Sequence, residues 1–492
     1  MKYFKFFLFL FVFFIFIYLR LTPIINKTVP YTYDQGRDFL KVAQIVTEKK
    51  LTFIGPTTGI NGVFHGAWWY YLAIIPFVIF NGNPIGFYYF MFFLSLLANL
   101  AFTYFIYKEF DLFLSLIFFA LVSISPYFTS LSIFASNNIV TPYAVGFFII
   151  SVYYLFKSKQ NYWLFFTALF LGFILEFEVS FGLFIVPSFI FLALFFKTIR
   201  NKLISLKNLG LFLSGFIIPF SPRFLFEIKN KFIQTKALIN YFLQPRINNP
   251  KSISIVFQDR IKMFWSYLRD IFYNQNQIIT IIFIGLIIFL LLRFRKKLVN
   301  YSFIFFLILL SIVLFLLSLF YRDNFWANYY EGIQYIFLFL IISSLFILTK
   351  IKNGKIIIYL IILFLLILNV IGFAQNIRSS KTQVITGLKS ADLAIKYIYQ
   401  NIGKNNFCLK VYTPPVIPYT YDYLTSYYSR VKGFKKPSID FTNNQCWYII
   451  EDDFYKFRLD KWKSTNIPKE AILTKTKKFT LDYSIELWTL PL

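Results

Sequence analysis

The chain has 492 residues, of which 58% are hydrophobic, 23% aromatic and only 15% charged. About a quarter of a soluble chain is charged, so an ordinary soluble enzyme, a disordered chain and a disulfide scaffold are excluded, and long continuous apolar runs exclude a transmembrane β-barrel. The balance of 50 Lys+Arg against 22 Asp+Glu, net +28, would suggest nucleic acid in a soluble protein, but here the basic residues crowd short loops between apolar runs and read as membrane orientation, with no nucleic-acid partner.

Residues 1–21 form an apolar stretch behind Lys2 and Lys5, and no small-residue cleavage site follows at Arg20-Leu21-Thr22-Pro23, which predicts a retained first span. In Asp34-Gln35-Gly36-Arg37-Asp38 and onward, Phe39, Val42, Ile45 and Val46 recur at helical spacing, so Asp34 is expected just ahead of an amphipathic helix held at the membrane surface. An acid so placed can act as a general base toward a membrane-anchored substrate. The plainer reading makes Asp34 a helix-capping or solvated acid, with Arg37 and Asp38 a surface pair. The only histidine, His65, is expected to open an interfacial helix over 67–80 that begins Trp68-Trp69-Tyr70-Tyr71, as a polar anchor or as a substrate contact.

Further apolar runs lie at about 86–107, 112–130, 139–156, 162–175, 180–196, 208–226, 277–293, 300–320, 332–349 and 355–373. If 67–80 does not cross and every other run does, the basic clusters at Lys108, Lys157/Lys159, Lys197–Lys207, Arg293–Lys297 and Lys350–Lys355 all share a side with Lys2 and Lys5. The expectation is an α-helical polytopic membrane protein of about eleven spans, with a cytoplasmic N-terminus. External segments then cover 22–85 and 227–276, and the transmembrane domain runs over 1–373. Of the twelve acids before residue 374, only Glu109 and Asp111 fall inside, which points the chemistry outward. The remainder, 374–492, reads as a small external α/β domain, helical over 388–402 with strand-like runs at 407–412 and 446–450. Cys408 and Cys446 sit in those two runs, either as a disulfide or as a pair of reduced core cysteines.

The Asp34-Gln35 pair, then Arg37, an amphipathic helix, and Phe64-His65-Gly66-Ala67-Trp68-Trp69-Tyr70 at the entry to a second juxtamembrane helix together resemble the multi-span glycosyltransferases of the GT-C class. The likeness is to the branch of protein O-mannosyltransferases and aminoarabinose (lipid A) transferases, with Gly66 and Ala67 where relatives have prolines. The resemblance implies transfer of a sugar from a polyprenyl-phosphate donor on the extracytoplasmic face of the plasma or inner membrane. It makes Asp34 the general base, with Gln35 and His65 as substrate contacts. The acceptor is a glycan, lipid or protein. No nucleotide-binding glycine motif is present, consistent with a lipid-phosphate leaving group. Relatives carry another acid between the third and fourth spans. Here Asn137, Asn138 or Thr141 stands in that place and can only hydrogen-bond a sugar. A lipid phosphate calls for outer-face cations, for which the candidates are Arg37, Arg223 and Arg322 beside Asp323, with Tyr329 nearby. Beyond the polyprenyl-phosphate sugar, the sequence assigns no cofactor, and a divalent cation stays open. Glu176 and Glu178 could bind a divalent ion or stand as wet loop acids, and no residue is assigned to a metal. The competing readings are a lipid-linked saccharide flippase or transporter, which would place charges at mid-membrane, and an O-antigen-type polymerase or ligase, which lacks an Asp motif straight after the first span.

Overall fold

The computed structural model describes residues 2–243, 251–272, 277–322, 325–382, 387–414, 417–480 and 483–491. The apolar run behind the N-terminus forms α1 (Lys2–Ile25). Near its C-terminal end Arg20 is fully buried, and its guanidinium donates to the carbonyl oxygens of Val122 and Ser123, each at 2.8 Å, and to Ser132 Oγ at 3.0 Å. Those carbonyls lie at the end of α5 (below), where no further turn of the helix supplies N–H groups to donate to them.

The first loop is structured throughout. α2 (Tyr33–Glu48) begins at Thr32, whose backbone N–H donates to Gln35 Oε1 at 2.9 Å, one arm of a capping box. Phe39, Val42, Ala43 and Ile45 bury one face of it. Two short strands follow, β1 (Ile54–Thr57) and β2 (Phe64–Gly66), paired antiparallel. Then comes α3 (Trp68–Ile79), whose 12 residues reach only about 18 Å, too short for a ~30 Å hydrocarbon core.

Next in order are α4 (Pro84–Glu109), α5 (Leu112–Ile124), α6 (Pro126–Ser130), α7 (Asn137–Lys157), α8 (Tyr162–Phe177), α9 (Val179–Phe195), α10 (Lys197–Leu203) and α11 (Leu206–Lys229). Local chemistry sets their starts: Asn83 Oδ1 caps α4 with Pro84 in its first turn, and Asp111 Oδ1 accepts from Leu114 N at 2.7 Å at α5. Pro126 separates α6 from α5, so the run read as 112–130 is a broken element. The basic α10 bends 98° away from α9. Beyond α11 lie α12 (Ile233–Leu243), α13 (Ile253–Arg269), α14 (Gln277–Arg293), α15 (Tyr301–Ser318), α16 (Ile333–Thr349) and α17 (Gly354–Thr382). Each of the eleven expected spans coincides with an apolar helix. Six helices are long and apolar enough to cross a membrane, seven if α9 and α10 form one bent span, and the others are shorter. This is a polytopic helical membrane fold.

The tail comprises α18 (Leu388–Ile402), β3 (Leu409–Tyr412), α19 (Tyr419–Lys432), β4 (Gln445–Glu451), α20 (Lys456–Asn466), β5 (Ile472–Thr480) and β6 (Tyr483–Thr489). Its sheet has the order β3-β4-β6-β5, parallel only between β3 and β4. Cys408 and Cys446 are joined in a disulfide beside that parallel pair, which resolves the two readings left open by the sequence. The tail docks on the first loop. Leu388 N donates to Val29 O at 3.1 Å, Lys27 pairs with Asp392 at 2.8 Å, and Tyr423 donates to Gly82 O at 2.6 Å. A Cβ on Gly36 would lie 2.5 Å from Thr420 N, so α19 approaches α2 as closely as a glycine permits.

Candidate active site

α2 starts at Tyr33, so Asp34 lies inside its first turn rather than ahead of it, where the helix dipole favours a carboxylate. The cap falls to Gln35 and Thr32 instead. The Asp34 side chain is 49% exposed and pairs with Arg37 Nη1 at 2.8 Å, one helical turn on. Arg37 is 20% exposed and turns its other side to Asp38, with Nη2 at 2.9 Å and Nε at 3.0 Å from Oδ1. Asp38 is not a surface residue: its side chain is 0% exposed. Trp69 Nε1 donates to Asp38 Oδ2 at 3.0 Å, and the Tyr70 hydroxyl lies 3.4 Å from Oδ1. α3 packs across α2 and brings an indole and a phenol to cover the carboxylate. Burial pushes the Asp38 carboxyl up to about 6, against the pull of Arg37. One open carboxylate is thus held by a guanidinium that a closed carboxylate anchors.

His65 is in β2, not at the head of α3, and it is buried. Burial, with Arg223 and Arg37 as nearby cations, pushes its imidazole down to about 3, so the ring is neutral at physiological pH. Its Nδ1 accepts a 3.4 Å bond from Val179 N. The hairpin is pinned from below by Arg223, whose Nη1 donates to Phe64 O at 2.7 Å while Nε meets Glu176 Oε1 at 2.7 Å. Glu176 is fully buried under Gly66, whose absent Cβ would stand 1.9 Å from Glu176 Oε2. Glu178 is also buried, accepts from Ser180 N at 3.3 Å, and is pushed up to about 8 by burial. Neither glutamate is a wet loop acid, because β2 roofs the turn between α8 and α9. Among the described residues no three His, Cys, Asp or Glu side chains gather as a metal ion would require.

The remaining candidates lie as follows. Gln35 is buried, and its Nε2 donates to the Tyr88 hydroxyl at 3.1 Å. Asn137 Nδ2 donates to Phe177 O at 2.8 Å, tying the start of α7 to the end of α8, and Asn138 Oδ1 accepts from Ser136. Tyr329 is buried with its hydroxyl 2.9 Å from where a Gly59 Cβ would be, so it does reach the first loop, in a small cavity with Thr58 and Ser180. Arg322 donates through Nε to Lys251 O at 3.1 Å, and its terminal nitrogens make no bond among the described residues. Asp323 lies outside the described residues. Asp34, Arg37, His65 and Arg223 therefore share one electrostatic neighbourhood at the first loop. The residues that reasoning from sequence missed there, Asp38, Trp69 and Tyr70 as one network, were each visible in the motif but not as partners.

The overall fold is similar to that of solved membrane-protein structures. The crystal structure of ArnT from Cupriavidus metallidurans bound to undecaprenyl phosphate matches with a TM-score of 0.58 at 9% identity, covering 96% of this chain and 97% of that one. Its apo form matches at 0.55 and 10%, with the same coverage. The Archaeoglobus fulgidus oligosaccharyltransferase in complex with Zn and sulfate matches at 0.52 and 12%, over 90% of this chain and 68% of that one. No family model matches the chain, and no curated protein matches it in sequence.

Proposed function

We propose that the chain is a multi-pass membrane glycosyltransferase of the extracytoplasmic face. It moves a sugar from a polyprenyl-phosphate carrier to an acceptor, with Asp34 as the general base. The observation that carries this reading is the paired carboxylates on α2: Asp38 closed and Asp34 open, with Arg37 fixed between them. The fold likeness to ArnT with its bound undecaprenyl phosphate supports a lipid-phosphate donor.

In this reading Asp34 takes the proton of an acceptor hydroxyl or amine. The freed lone pair attacks the anomeric carbon, the bond from that carbon to the phosphate oxygen breaks, and the lipid phosphate leaves. A single displacement inverts the anomeric centre. Arg37 keeps Asp34 aimed, since a guanidinium held by two carboxylates has little freedom to swing. The phosphate falls to Arg322, whose terminal nitrogens make no bond among the described residues, while Arg223 is bound to Glu176 and serves to hold the His65 hairpin. No step runs through a divalent ion, because Asp34 and Asp38 both face a guanidinium that a second cation would oppose.

The test is transfer by purified protein in vesicles supplied with a labelled polyprenyl-phosphate sugar and membrane extract as acceptor source. The reading predicts release of polyprenyl phosphate coupled to labelled product, with Arg322→Ala raising the donor concentration needed more than the acceptor concentration. Donor consumption unchanged by loss of both Asp34 and Arg322 would exclude it.

A further inference from the structure

The tail holds a cavity of about 330 Å³ that the catalytic reading does not use. Its walls are β3 (Leu409 to Val411), the flank of α19 carrying Tyr421, Asp422 and Thr425, and α20 with Trp462 and Asn466. The size falls at the lower end of the ~300–1,000 Å³ typical of small-ligand sites.

Three features of its chemistry select a ligand. Asp422 is exposed to this space, and among the described residues its carboxylate accepts no hydrogen bond and meets no cation. Crowding by its surroundings raises it only to about 6, so it is ionised at neutral pH. Among the residues lining the cavity the one ammonium, Lys410 Nζ, is turned to Asn466 O at 3.0 Å. An anionic ligand is therefore disfavoured, and a lone carboxylate is a poor cradle for a metal ion. The third feature is Trp462, half-buried and braced by the Tyr412 ring at 5.3 Å, whose indole N–H donates to nothing among the described residues. A carboxylate that accepts from adjacent hydroxyls beside an indole is the pairing that suits a neutral sugar: polar edge to the acid, C–H face to the ring.

We propose that this groove binds the saccharide portion of the acceptor, a neutral glycan. The inference rests on the transferase reading above and adds the acceptor class to it. The link between the two places is α19 itself. Three residues before Asp422, Tyr419 stacks on Tyr33 at 5.9 Å, and Tyr33 adjoins Asp34. One helix therefore carries a groove wall and touches the candidate base's own turn. An extended peptide along the free edge of β3 fits less well, because Ser438 O already accepts from Leu409 N at 3.0 Å and the strand has only four residues.

The experiment is saturation-transfer NMR with the full chain in nanodiscs, using maltotriose, cellotriose, mannotriose and chitotriose as probes and an unstructured octapeptide as the comparison. The expected result is saturation of at least one trisaccharide by the wild type and by Asp34→Asn. Its affinity should fall about tenfold or more in Asp422→Asn, which loses a charged hydrogen bond without losing volume, and in Trp462→Ala. Asp422→Asn keeps the proposal falsifiable should Trp462→Ala disturb the tail core. No saturation of any sugar, saturation of the peptide alone, or sugar binding untouched in Asp422→Asn would overturn it. Failure of the transferase reading looks different: sugar binding would remain sensitive to Asp422 while transfer ignored Asp34.

Discussion

At the scale of single residues the account turns on Asp38. Replacing it by alanine would leave Arg37 with one carboxylate and would strip the buried Trp69 N–H of its acceptor. Loss of a buried partner costs about 3 kcal/mol or more, so detergent-solubilised Asp38→Ala should melt several degrees below the wild type and transfer poorly. Acid has a separate signature. The folded carboxyl lies at about 6 against an ordinary value of 3.8, so between those values the folded chain binds the extra proton. Protonating Asp38 therefore adds to stability, which falls as pH rises through that window. What acidification removes is the second anchor of Arg37. Transfer should decline as pH drops through about 6 while the melting temperature does not fall on this group's account; parallel pH–rate and pH–melting profiles check it. This role was not legible in the motif. Helical spacing places Phe39 and Val42 inside, but the groups that make a buried Asp38 tolerable come from 31 and 32 residues further on.

At the scale of elements, the apolar runs were legible because a hydrocarbon solvent demands some twenty apolar residues in a row. The β1–β2 hairpin was not, since strands of four and three residues carry no measurable alternation. Yet the hairpin decides where His65 goes, and two glycines decide how the neighbours fit. Gly66→Ala would drive a methyl into Glu176 and part the Arg223–Glu176 pair. A loss of about 3 kcal/mol is expected, read as a lowered melting temperature, whereas Gly62→Ala, with more room at 3.2 Å but a positive φ, should cost about 1 kcal/mol. The Cys408–Cys446 bond closes a loop of sequence separation 38, worth about 4 kcal/mol by chain entropy. Reductant should therefore expose the tail to protease before it affects the helical bundle.

At the scale of the whole molecule, loop charges alone set eleven runs apart from 67–80, whereas among the described residues six helices, or seven with the bent pair, are long and apolar enough to cross, and α3 is one of the shorter apolar helices. The docking of the tail onto the first loop had no signal in the sequence, because its contacts join residues nearly four hundred apart, as Tyr31 with Thr420. The proposed orientation is checked by cysteine labelling. The two native cysteines are bonded, so Asn61→Cys and Lys432→Cys, both exposed, should react from outside, and Lys296→Cys only from the cytoplasm. The most direct test of the central claim is the single-turnover rate of Asp34→Asn with donor bound. The amide keeps the size of the side chain and its contact with Arg37 but takes no proton at neutral pH. Removal of a positioned base costs about 10²–10⁴ in rate. The account predicts a loss in that range with expression, melting temperature and donor affinity near those of the wild type; a rate within a few-fold of the wild type would contradict it.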